Sequence, residues 1–149
     1  MADLRFEAIY PAPVAAVWRA LTDPDEIAGW LMPNDFVPMV GHQFTFTTSP
    51  APGFDGTVHC EVLEIEPERR LSYSWAGGGI DTVVAWELEP HGEGTALRLR
   101  HSGFHGPRGL IVRRILGAGW KSRVLPRLGS RVEALAEEDE GRLPQEPAP

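Results

Sequence analysis

Apolar and polar positions alternate from the start of the chain. Leu4, Phe6, Ala8 and Tyr10 fall on one face of residues 3–10, which predicts a strand ended by Pro11 and Pro13. The period then changes. Val14, Val17, Trp18 and Leu21 are spaced for a short helix with Pro13 at its start, and Thr22 or Asp23 can cap a second, with Pro24 near its first position and Ile27, Trp30 and Leu31 on its buried side. From Val40 to Arg100 the two-residue period returns in five segments, carried by Phe44 and Phe46; by Val58, Cys60 and Val62; by Leu71, Tyr73 and Trp75; by Thr82, Val84, Trp86 and Leu88; and by Thr95, Leu97, Leu99 and His101. Short Pro- and Gly-containing connectors between them imply an antiparallel meander. Between Val62 and Leu63 the apolar phase slips, which predicts a bulge and with it a curved sheet.

A long helix is expected across 108–135, with the stripe Ile111, Ile115, Ala118, Trp120, Val124, Leu128, Val132 and Leu135 turned inward. Pro126 removes the hydrogen bond to the Ser122 carbonyl, so a kink or break into two arms is expected there. Gly117, Gly119 and Gly129 lower helix propensity but permit close packing on the sheet. Residues 136–149 are rich in acid and proline and read as a disordered tail, leaving 1–135 as one domain. The class is α+β: a curved antiparallel sheet around a long C-terminal helix, with two short helices.

Charge refines this picture. Residues 1–107 carry 15 acidic and 6 basic side chains, 108–135 carry 1 and 7, and 136–149 carry 5 and 1. An acidic body disfavours nucleic acid as a partner. No apolar run is long enough to insert in a membrane, and nothing at the N-terminus reads as a secretory signal, so a cytoplasmic location is expected. The single cysteine, Cys60, fits a reducing compartment and offers no disulfide framework.

The residues that could carry chemistry do not assemble into a catalytic set. His101 and His105 lie four apart across a strand end and loop, without further ligands, so neither a metal nor another cofactor is expected. Cys60 sits among apolar strand residues without a local activating group. Gly77, Gly78 and Gly79 join two strands and lack the lysine of a phosphate loop. Asp81 and Glu61 have no paired partner in sequence that would make either a general acid. Aromatic residues are the stronger signal. Trp30, Phe44, Tyr73, Trp75, Trp86, His101 and Trp120 are the candidate ligand-binding residues, with Tyr73 and His101 supplying polar tips on apolar faces.

Several of these positions, in this order, resemble the START-like or Bet v 1-like superfamily, and within it bacterial proteins similar to the C-terminal domain of the activator of Hsp90 ATPase. The resemblance is carried by Pro11 to Val14, Val17, Trp18 and Ala20 to Thr22; by Ile27 and Trp30; by Gly41 and Gly56; by Val62 to Pro67 and Leu71 to Trp75; and by Gly119 and Trp120 before Leu128. It implies a helix-grip fold with an apolar cavity under the last helix. Pro126 and the basic helical face depart from many relatives. Since such folds serve unrelated functions, three readings follow: a binder of a hydrophobic or amphipathic small molecule without chemistry, a polyketide cyclase-like enzyme using His59, Tyr73, Asp81 or His101, and a co-chaperone-like module with a protein partner or a homodimer.

Overall fold

The computed structural model describes residues 3–142, and side chains through residue 138. Six antiparallel strands form one sheet: β1 (Leu4–Tyr10), β2 (Gln43–Thr47), β3 (Thr57–Glu66), β4 (Arg70–Gly77), β5 (Ile80–His91) and β6 (Gly94–Ser102). Their order is β1-β6-β5-β4-β3-β2, so the chain leaves β1 at one edge, crosses to the other and meanders back. The alternation read from sequence holds. Phe44 and Phe46, Val58, Cys60 and Val62, Leu71, Tyr73 and Trp75, and Val84, Trp86 and Leu88 all point to the buried face, while polar neighbours such as His59, Glu87 and Arg98 point out.

The phase slip in β3 is a bulge. Val62 lies opposite Tyr73 and Glu64 opposite Ser72, leaving Leu63 as the extra residue, 43% exposed. Ile65 then pairs with Leu71 on the inner face again. An inserted residue bends its strand and increases twist, and here it lets the sheet curl over the helices.

Two short helices, α1 (Val14–Thr22) and α2 (Pro24–Trp30), carry the chain between the sheet edges. Asp23 caps α2 by accepting from the Asp25 amide at 2.9 Å, and Pro24 occupies the first turn, where its missing donor costs nothing. Trp30 closes the pair, its indole N–H donating to the Ala20 carbonyl at 2.7 Å. Thr95, fully buried on β6, donates to the Ala12 carbonyl at 2.8 Å and ties the entry to α1 onto the sheet.

The last helix is continuous rather than broken. It comprises α3 (Gly106–Gly119), a π-helical turn (Trp120–Val124) and α4 (Leu125–Arg142). In the wide turn the Leu125 amide reaches back five residues to the Trp120 carbonyl. This is how the chain accommodates Pro126, which has no amide hydrogen to extend an α ladder. The turn also solves a phase problem. Leu116, Trp120, Val124, Leu128 and Val132 recur every four residues, and each such step overshoots an α-helical turn by about 40°. One wide turn absorbs much of that drift, so Trp120, Leu128 and Val132 are all buried.

The inward stripe expected for the first arm is corrected accordingly. With Trp120 facing in, Gly109 is buried and Val112 and Leu116 are half-buried, whereas Ile111, Ile115 and Ala118 face out. Of the three glycines, Gly117 and Gly129 do permit close approach: a Cβ there would lie 3.0 Å from Leu4 and from Tyr10 respectively. Gly119 faces open space. The helix also runs through residues 136–142, assigned above to the tail, and Ala136 is buried. Residues 143–149 lie outside the described residues.

Candidate functional site

Strands β4, β5 and β6 are neighbours, so the inward residues near their shared end form one surface. Trp75 lies opposite Thr82, and Val84 lies opposite His101. The Trp120 ring descends from the π turn onto this surface, 5.8 Å from Trp75 and 5.7 Å from Trp86 between centroids. Trp30 meets Trp86 edge-on at 5.6 Å, and Phe44 meets Tyr73 edge-on at 5.4 Å. These edge-to-face arrangements place the positive ring edge against a negative face. All seven candidate residues are thus joined in one buried wall, each at most 4% exposed. Their rings fill the space between one another.

The polar atoms in this wall form a chain whose proton positions follow from chemistry. Indole N–H can only donate, and Trp120 Nε1 lies 3.2 Å from His101 Nδ1. His101 Nδ1 is therefore the acceptor and the ring carries its proton on Nε2. That proton faces Thr82 Oγ1 at 2.7 Å, and Thr82 passes its own hydrogen to the Trp75 carbonyl at 2.8 Å. Protonating His101 would set two donors against each other. Burial adds to this, lowering the imidazole from its usual 6.5 to about 4. A second link joins β4 to β5, where Trp86 Nε1–H donates to the Tyr73 hydroxyl at 3.0 Å; burial pushes the Tyr73 phenol well above its ordinary value. No buried side-chain polar atom among the described residues lacks a partner.

Of the other sequence candidates, Cys60 adjoins the wall, opposite Phe44 on the neighbouring strand. His59 and Asp81 are exposed on the outer side of the sheet. Cys60 is buried, and burial followed by the nearby Asp35 carboxylate pushes its thiol up to about 12. It follows that 5,5′-dithiobis(2-nitrobenzoate) at pH 8 will leave Cys60 unmodified in the native protein and titrate one thiol in urea. Fast native labelling would contradict the packing. Among the clefts on the described surface, one of about 570 Å³ lies beside Glu68, Arg69, Glu87 and Arg98, and another of about 380 Å³ lies beside Asp35, Thr45, His59 and Glu61, with the buried Cys60 at its base. Of the aromatic wall only Phe44 borders either of them. No cluster of metal-ligating side chains occurs among the described residues.

One contact was not legible in sequence. Arg108, in the first turn of α3, donates to the backbone carbonyls of Gly78 and Gly53, the latter at 2.8 Å. It ties the start of the helix to the β4–β5 turn and the β2–β3 loop. A side chain at Gly79, itself in a left-handed conformation at φ +85°, would collide with the guanidinium.

Comparison with known proteins agrees with this geometry. Residues 11–133 match the family described as activator of Hsp90 ATPase homolog 1-like protein. The chain belongs to this family. Among solved structures it is similar to protein MLL2253 of Mesorhizobium loti, with 34% identity and a TM-score of 0.77 over 92% of this chain and 98% of that one. CalU16 of Micromonospora echinospora is 28% identical, with a TM-score of 0.73 over 91% and 82% of the two chains. DynU16, from the dynemicin biosynthetic locus, is 28% identical with a TM-score of 0.74; the match covers 88% of this chain and 47% of that one. No curated protein sequence matches. Fold and family together point to a ligand-binding groove between the sheet and the C-terminal helix. No helix among the described residues is long and apolar enough to cross a membrane.

Proposed function

We propose that the protein binds a hydrophobic or amphipathic small molecule in the groove between sheet and C-terminal helix, with the aromatic wall as its floor and α3 as a wall that shifts to admit it. The observation that carries this reading is the contrast between the two sides. The floor is a fixed array of rings with its polar tips satisfied, whereas α3 buries only Gly109 completely over its 14 residues. An arm with so little buried apolar surface is the part that opens at low cost.

Binding without chemistry is favoured over a cyclase-like reaction by the state of the polar groups. His101 has both ring nitrogens engaged and resists protonation, Tyr73 holds its proton firmly, and His59 and Asp81 face away from the groove. Proton transfer would need a group with a pKa near the working pH and within reach of substrate.

Titration with 1-anilinonaphthalene-8-sulfonate, followed by energy transfer from tryptophan, tests the reading. Saturable one-to-one binding is expected, with a lowest-energy complex visible by native mass spectrometry. Leu116→Trp, which enlarges a half-buried residue on the inner side of α3, should weaken binding about tenfold, or ~1.4 kcal/mol. Unchanged affinity in a folded Leu116→Trp variant would place the probe outside the groove and defeat the proposal.

A further inference from the structure

The outer face of α3 does not look like a surface made for water. Leu110, Ile111 and Ile115 are 45%, 61% and 65% exposed within two turns, with Ala118 beside them. Solvent-facing helix surfaces are ordinarily polar, and a clustered aliphatic patch of this kind marks a surface that something covers.

Charge indicates what covers it. Between residues 106 and 132 the chain has seven basic side chains and no carboxylate, while the rest of the chain holds all 21 acidic residues. Arg114 lies among the exposed aliphatics, and Lys121, Arg123 and Arg127 continue the exposed basic surface along the helix. A second copy docking face to face would bring these cations together, which disfavours it. The patch has no aromatic residue of the kind that commonly anchors a protein partner. Short aliphatic side chains ringed by cations on a convex helix match a fluid anionic surface instead, with the apolar groups entering the headgroup boundary and the cations meeting phosphate.

We propose that α3 docks this protein peripherally onto membranes containing anionic phospholipid, with Leu110, Ile111 and Ile115 inserted at the interface and Arg114 and Lys121 on the headgroups. The acidic body is repelled by the same surface, so the charge asymmetry turns the α3 face toward it. This inference stands whether or not the groove takes a ligand.

Flotation with vesicles decides it. The full chain should bind vesicles of phosphatidylglycerol and phosphatidylcholine in equal parts at least about tenfold more tightly than vesicles of phosphatidylcholine alone. Raised salt should weaken binding, and the double variant I111E/I115E should lose it, at unchanged circular dichroism and melting temperature, since both positions are exposed. Absence of binding, or equal binding by I111E/I115E, overturns the proposal. So does a concentration-dependent dimer in analytical ultracentrifugation that I111E/I115E abolishes, or an acidic protein partner that competes where anionic vesicles do not bind.

Discussion

Replacing Trp120 with alanine is expected to cost about 3–5 kcal/mol in urea unfolding, the range for deleting a large buried ring. That is a large part of the 5–15 kcal/mol that typically holds a domain together. The cost has several sources in one residue. The ring fills the space over Trp75 and Trp86, its N–H satisfies His101 Nδ1, and its burial fixes which way the helix arm faces. Trp120→Phe separates them: it keeps most of the packing and removes the donor, so the expected loss falls to about 1–2 kcal/mol. Hydrogen exchange gives a second readout. Amides of α3 should exchange faster in Trp120→Ala than those of α4, which keeps Leu128, Val132 and Leu135 fully buried. Equal acceleration in both arms would mean that Trp120 does not anchor α3.

The second large effect is set by pH. His101 in the native protein is held neutral down to about 4, whereas in the unfolded chain it titrates near 6.5. Between those values the unfolded state binds the extra proton, so stability is complete above pH 6.5 and declines as the pH falls toward 4. Integrated over the window the loss is on the order of 3 kcal/mol. His101→Gln removes the titration while retaining an amide donor toward Thr82. The stability difference between wild type and His101→Gln should therefore shrink by about that amount from pH 6.5 to 4. Parallel curves for the two proteins would show that His101 is already charged in the native state.

The strands and the two short helices could be read from sequence because each has one wet and one dry face, which writes its period directly into the residues. Even the bulge was visible, since an extra residue at Leu63 shifts every later apolar position by one. The first arm of the long helix was misread for a related reason. Ile111 and Ile115 are as apolar as Val112 and Leu116, and composition alone cannot say which pair faces in; the decision is made by Trp120 and the wide turn ahead of Pro126. The four-residue recurrence from Leu116 to Val132 was the available signal for that turn. The identities of the wall residues were likewise legible from alternation, but not their bonding. His101, Thr82 and Trp120 come from three elements, and only the fold shows that a donor-only indole dictates the histidine tautomer. Arg108 was unreadable for the same reason, its acceptors being backbone carbonyls of two distant loops.

A π turn holds one residue more than the α-helical turn it replaces. The last helix can therefore be regarded as an α-helix that has taken up a single-residue insertion near Trp120–Val124 without losing its register on the sheet. In an alignment with relatives whose last helix is uniformly α-helical, the gap belongs inside this helix, not in a flanking loop. Aligning without it would set Leu110, Arg113 and Gly117 at the inner positions held by Gly109, Val112 and Leu116, turning the whole first arm by about 100°.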